Sequence, residues 1–206
     1  MCTETFLRLP EEKRDRFLNA AWEEFTRVNF SEASTNQIVR RAGIPRGSFY
    51  QYFRDKEDLF TYLMTQARDH FVEIYSHIME KAGGDFFRTQ LMCFDRFAQR
   101  GPEADVLFER CIQVLRLNPG LHMQMIMMDQ PGNRMLEEVA KDADLSAFND
   151  KDTARQAFSL SLVALAGSIM DCLAEPKRVG EFRRQLELRL EIIRSGSLAV
   201  GRREVG

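Results

Sequence analysis

Apolar residues recur along this chain at three- and four-residue intervals, the spacing that gathers them on one face of an α-helix. Phe17, Ala20, Ala21, Phe25 and Val28 form one stripe of a helix expected from about Pro10 to Val28. Glu11 and Glu12 fall in its first turn, where the helix dipole favours acids. A short second helix is expected after Ser34, which with Gln37 three residues on has the pattern of a capping box. Ile38, Val39 and Ala42 are its apolar side, and Gly43 ends it. Pro45 suits the first turn of a third short helix reaching about Phe53. Asp55 then caps a long helix from Lys56 to about Lys81, with Leu59, Phe60, Leu63, Phe71 and Ile74 facing inward.

Gly83-Gly84, Gly101-Pro102, Asn118-Pro119-Gly120 and Pro131-Gly132 punctuate the rest, at intervals suited to helices of roughly 12 to 18 residues. Two long helices are expected at the end, from Asp152 to Ala174 and from Pro176 to Ser195, followed by a frayed tail over 196–206. No stretch alternates apolar and polar positions at strand length, and no Asn-Gly or Asp-Gly hairpin signal occurs. The pattern predicts an all-α protein.

Composition narrows the function classes. With 206 residues there is room for one large domain or two modest ones, and 44% hydrophobic with 29% charged residues is globular rather than disordered. The uncharged stretch from Ala157 to Met170 is too short to span a bilayer and suits a buried helix. No basic stretch followed by an apolar core opens the chain, so a cytoplasmic protein is expected, with no membrane partner. Cys2, Cys93, Cys111 and Cys172 are scattered, which fits neither structural zinc nor a disulfide framework. His70, His77 and His122 form no H-E-x-x-H, and neither a phosphate-binding glycine loop nor G-x-S-x-G is present; no enzyme and no cofactor are expected.

The net charge of −2 conceals a basic island. Between Thr35 and Lys56 stand Arg40, Arg41, Arg46, Arg54 and Lys56 against Asp55 alone, which suits a localised anionic partner. Two short helices joined at Gly43 have the size of a helix-turn-helix. At 100° per residue Phe49 and Phe53 share the inward side of the third helix. Gln51 then centres the outward face, with Gly47 and Ser48 beside it and Tyr50 and Tyr52 on its flanks. A glutamine there can pair with an adenine edge, and Gly47 lets the backbone come close. Tyr50, Tyr52, Lys56, Thr35 and Asn36 are placed to reach phosphates, and Arg46 a phosphate or a guanine. The same residues also suit a plain helical core, and patterning alone leaves both readings open.

Residues 11 to 60 closely resemble the DNA-binding domain of the TetR family of bacterial transcriptional regulators. The likeness runs through Phe17-Leu-Asn-Ala-Ala-Trp-Glu-Glu-Phe25, Asn29-Phe30, Ser34-Thr35, Ile44-Pro-Arg-Gly-Ser-Phe-Tyr-Gln-Tyr-Phe53 and Lys56-Glu-Asp-Leu59. By that resemblance Thr35, Asn36, Arg46, Gly47, Ser48, Tyr50, Gln51, Tyr52 and Lys56 fall at DNA-contacting positions. Pro45 departs from a common Ser or Thr, and Val39 from a common alanine. The resemblance implies a three-helix helix-turn-helix domain over 1–55 and a helical ligand-binding and dimerisation domain over 56–195. It also implies a homodimer through the two C-terminal helices, double-stranded operator DNA as partner, and a small-molecule effector. The expected function is a ligand-responsive regulator, a repressor on a near-palindromic operator. The alternative is a DNA-binding regulator or architectural protein without a ligand.

The central helices are rich in adaptable methionine and phenylalanine, which suits a largely apolar effector. Candidate pocket residues are Phe94, Phe97, Phe108, Cys111, Met123, Met127 and Asp171. Ordinary core is the competing reading for each. The helix from Asp152 is apolar almost all round, through Phe158, Leu160, Val163 and Ile169, so it needs two partners, one of which can be a second subunit.

Overall fold

A computed structural model describes residues 2–98, 104–119, 141–148 and 150–200. Every regular element among them is helical, and the described residues contain no strand. The helices are α1 (Glu4–Leu7), α2 (Glu11–Phe25), α3 (Thr35–Arg41), α4 (Ser48–Tyr52), α5 (Lys56–Lys81), α6 (Phe86–Phe97), α7 (Val106–Leu117), α8 (Lys151–Ala174) and α9 (Val179–Val200), with a 3₁₀ turn at Pro176–Arg178 before the last. They divide into two compact units: residues 2–70 with 106–119, and residues 71–98 with 104–105, 141–148 and 150–200.

The first unit, the head, is organised around aromatic side chains. Phe17 is fully buried; its ring stacks on Phe53 at 5.9 Å and meets Tyr52 and Phe6 edge-on, each at 5.8 Å. Phe6 comes from α1, an element absent from the sequence-based expectation. Thr3 caps α1 by accepting the Phe6 N–H, and this one turn delivers Phe6 to the centre of the core. Asp55 caps α5 as expected, accepting the Asp58 N–H at 2.8 Å. The capping box expected at Ser34 does not form, because its side chain makes no cap hydrogen bond. The Ser34 N–H instead donates to Glu24 Oε1 at 3.1 Å. Gly43 takes φ +64, the left-handed backbone that bends the chain between α3 and α4 and that only glycine adopts without strain.

Glu24 is buried among this unit's apolar side chains, and it is paired. Arg27 donates to both its oxygens at 2.9 and 2.8 Å, and Arg41 to Oε2 at 3.0 Å. Burial raises its pKa, but the Arg27 and Ser34 hydrogen bonds and the charges of Arg27 and Arg41 outweigh that, holding the carboxyl below its ordinary value. One acid thereby ties α2 to both ends of α3. The head is also larger than the expected 1–55, because α7 belongs to it. Val114 is buried in its core, Asn118 Oδ1 accepts the Phe30 N–H at 2.8 Å, and Arg110 donates to Asn19 Oδ1 at 3.0 Å.

In the second unit, the body, α8 packs against α6 and α9, and α6 also touches α9. Asp85 caps α6 through the Phe87 and Arg88 N–H groups, and Asp150 caps α8 through the Thr153 N–H. By length and composition alone α8 could cross a membrane. Here Ala154, Phe158, Leu165, Ile169 and Leu173 are buried along it. Arg183 grips Asp95, and Arg194 grips Asp85 at 2.6 Å. Within the C-terminal half of α5, Tyr75, Ile78 and Met79 are buried, whereas Phe71 and Ile74, expected inward, are only partly so. The tail expected from Gly196 is helical at its start, since α9 continues to Val200, and residues 201–206 lie outside the described residues. Ser197 hydrogen-bonds back to the carbonyls of Ile193 and Arg194, and the helix runs through Gly196. The breaks expected at Gly101-Pro102, Gly120 and Pro131-Gly132 lie outside the described residues.

Candidate nucleic-acid interface

The polar face of α4 exists because its other face is anchored. Phe49 and Phe53 are buried against Phe17, fixing the rotation of a helix only five residues long. Opposite them Gln51 is exposed and Tyr50 is 62% exposed. A Cβ added at Gly47 would meet nothing within 4 Å, so this end of the helix is open to close approach. Arg46 is exposed and Ser48 half-buried beside it. At the start of α3, Asn36 is exposed and Thr35 half-buried. Thr35, Tyr50 and Lys56 line one shallow cleft of about 370 Å³ with Ser34, Phe49 and Asp55.

Two expected contacts are corrected. Tyr52 is 3% exposed, with its ring against Phe6 and Phe17; its phenol belongs to the core rather than to the rim. The shortness of α4 explains this, since α1 covers the flank that a bare helical wheel leaves open. Lys56 Nζ donates to the carbonyls of Phe30 (2.7 Å), Ser31 (3.2 Å) and Ala33 (3.1 Å), and it lies over the Phe30 ring at 4.7 Å. Its ammonium is thus a staple on the loop before α3, with its hydrogens taken up by the protein. The basic island is also partly neutralised: Arg41 is held by Glu24, and Arg54 by Asp55 and Asp58. Arg40 and Arg46 remain exposed, with no ion pair among the described residues.

Sequence reasoning missed Thr3. Its hydroxyl donates to the Gln51 carbonyl at 2.6 Å and its N–H to the Tyr52 carbonyl at 3.0 Å. These are carbonyls at the end of α4, left without partners inside the helix. The threonine three residues before Phe6 was the available signal, a cap followed by an apolar anchor. If this face binds duplex DNA, Thr3→Val should weaken that binding roughly three- to tenfold, and Thr3→Ser should restore it, as read by fluorescence anisotropy. Equal affinity of the valine variant would show that the clamp does not position Gln51.

The candidate pocket residues are dispersed. Phe94 and Phe97 are buried in the body, while Phe108 and Cys111 stand half-buried on α7 in the head. Burial pushes the Cys111 thiol up to about 11. Asp171 is exposed on α8, so it makes no buried polar contact. Met123 and Met127 lie outside the described residues.

Residues 17–63 match the family model described as bacterial regulatory proteins, tetR family. An uncharacterised HTH-type transcriptional regulator of Bacillus subtilis, YdgC, is 44% identical over 54 residues, which are 26% of this chain and 28% of YdgC's own length. The transcriptional regulator AcuR of Cereibacter sphaeroides is 24% identical over 198 residues, covering 90% of this chain and 82% of AcuR. A solved TetR family regulator from Chloroflexus aurantiacus has a TM-score of 0.50 at 25% identity, covering 95% of this chain and 98% of that one.

Proposed function

Through residues 17–63 the chain belongs to the TetR family of bacterial regulatory proteins, and on that premise we propose that it is a ligand-responsive repressor binding a near-palindromic operator as a homodimer. The observation that carries this reading is the outward face of α4, where Gln51 and Tyr50 stand exposed beside an unobstructed Gly47 on a helix pinned by Phe49 and Phe53. Gln51 reads a base edge, with adenine its natural partner. Tyr50, Thr35 and Asn36 engage phosphates, Arg46 a phosphate or guanine, and Gly47 and Ser48 admit the backbone to the groove. Thr35 and Asn36 lie in the first turn of α3, whose N–H groups have no partner within the helix and suit an anion.

The body supports the second subunit. Leu160 on α8 and Leu188 and Ile192 on α9 are 55%, 63% and 63% exposed, large apolar side chains on the two long terminal helices. A Cβ at Gly167 would meet nothing within 4 Å, leaving α8 open to a close neighbour. Pairing these faces across a two-fold axis covers them and sets two α4 helices on half-sites about 34–36 Å apart, or a multiple of that. The effector is largely apolar and binds within the body, with Phe94 and Phe97 among the residues enclosing it. Repression ends when it favours a form of the dimer that no longer fits both half-sites.

Selection of duplexes from a random pool by the full chain tests the reading. A two-fold symmetric sequence is expected, bound by a dimer. Tyr50→Ala and Gln51→Ala should each weaken it about tenfold or more, with unchanged thermal unfolding. A chain that enriches no sequence would overturn the proposal.

A further inference from the structure

The polar residues buried in the body, Thr89, Gln90, Ser161 and Ser168, are all uncharged. Most of their chemistry is accounted for. Thr89 donates to the Asp85 carbonyl at 2.9 Å, and Ser168 Oγ accepts from Arg189 at 2.9 Å. Gln90 Nε2 donates to Tyr75 Oη and to Ser161 Oγ, each at 2.9 Å. Ser161 in turn donates its only hydrogen to the Phe158 carbonyl at 2.7 Å. That last bond fixes the amide: Ser161 can only accept from Gln90, so the nitrogen must face it.

The other end of the amide is left over. Gln90 Oε1 is buried with no hydrogen-bond partner among the described residues. A buried carbonyl in that condition costs roughly 1–3 kcal/mol, and such groups call for an explanation beyond packing. The phenol that holds the amide's other end stands among aromatic rings. Tyr75 meets the rings of Phe71 and Phe158, Phe158 meets Phe86, and Phe71 stacks on Phe97. The titratable groups that face the cluster stay neutral, since burial pushes both the Tyr75 phenol and the Cys93 thiol well up. Among the described residues no charged side chain hydrogen-bonds Gln90, Tyr75 or Ser161, so an ionised ligand group would find no counter-charge on them.

We propose that Gln90, held by Tyr75 and Ser161, is the polar contact of the effector site, and that the effector is an uncharged, mostly apolar molecule offering one hydrogen-bond donor to Gln90 Oε1. The inference rests on the ligand-responsive reading above and names the class of ligand. Because Oε1 is buried, the donor reaches it only if the groups that enclose it move. Binding and repacking are then one event, and the donor supplies a differential interaction of the kind any ligand-driven shift requires.

The test uses the full chain with three probes of equal chain length: 1-octanol as donor, 2-octanone as acceptor only, and octanoate as anion. Titration calorimetry and thermal unfolding should show octanol bound about tenfold more tightly than either other probe. Gln90→Leu should erase that advantage, leaving octanol and octanone alike. Octanol binding no better than octanone, or binding Gln90→Leu as tightly as the unaltered chain, overturns the inference. Should Gln90→Leu not fold, the probe comparison on the unaltered chain decides alone. DNA release is read separately: a ligand that frees the operator equally from Gln90→Leu refutes this site while leaving the regulator reading intact.

Discussion

Phe17→Ala is expected to lower the stability of the head by about 3–5 kcal/mol, the cost of emptying a fully buried aromatic site. The effect is large because one ring of α2 gathers side chains from several elements. Its ring meets Phe6 from α1, Phe49 and Tyr52 from α4, and Phe53 behind α4. Against a total stability of about 5–15 kcal/mol for a typical domain, much of the margin disappears. Denaturant unfolding followed by circular dichroism measures it, and operator binding at growth temperature should fail with it. A loss below about 1 kcal/mol would mean that α4 is held by something other than this cluster.

Glu24→Gln should cost about 1–3 kcal/mol near neutral pH, because hydrogen bonds to a charged partner are exchanged for weaker neutral ones. Glutamine keeps an oxygen for the Ser34 N–H, so the loss isolates the arginines. The cost stays below that of an uncompensated buried charge, since Arg27 and Arg41 can turn to solvent once released. The pH dependence has a definite sign. The folded carboxyl titrates below its ordinary 4.5, so its stabilisation is complete above that value and drains away as pH falls through the folded value. The unaltered chain should therefore lose more stability than Glu24→Gln on acidification below about pH 4.5. Parallel loss in both proteins would assign the acid response to other groups.

Much of the head was legible in the sequence. Helical periodicity, the Asp55 cap, the Gly43 turn and the inward pair Phe49 and Phe53 are all local signals, and the structure carries each. Periodicity failed where a distant element decided the outcome. Tyr52 lies on a flank that a wheel of α4 leaves exposed, and it is buried by Phe6, contributed from 46 positions earlier. Lys56 looks like a phosphate contact in sequence because its loop carbonyls carry no side-chain signal. Glu24 falls on the same helical face as Phe17, Ala20 and Ala21, but nothing in the sequence marks its partner, and only the fold brings Arg41 to it. In the body, helix positions were readable, but the unpartnered end of Gln90 was not. An amide's satisfaction depends on three helices at once, and on a serine hydrogen spent elsewhere.

The return of α7 to the head has a consequence for how the protein is born. Val114, Arg110 and Asn118 complete a unit whose other parts end at His70, so a segment of the body is translated before the head's last pieces appear. A ribosome adding about 5–20 residues per second leaves the first helices waiting some seconds for those groups. During that interval the Phe30 N–H lacks the Asn118 oxygen and the core lacks Val114. A fragment cut after His70 would keep that deficit permanently, and a head intended for study in isolation needs α7 supplied with it.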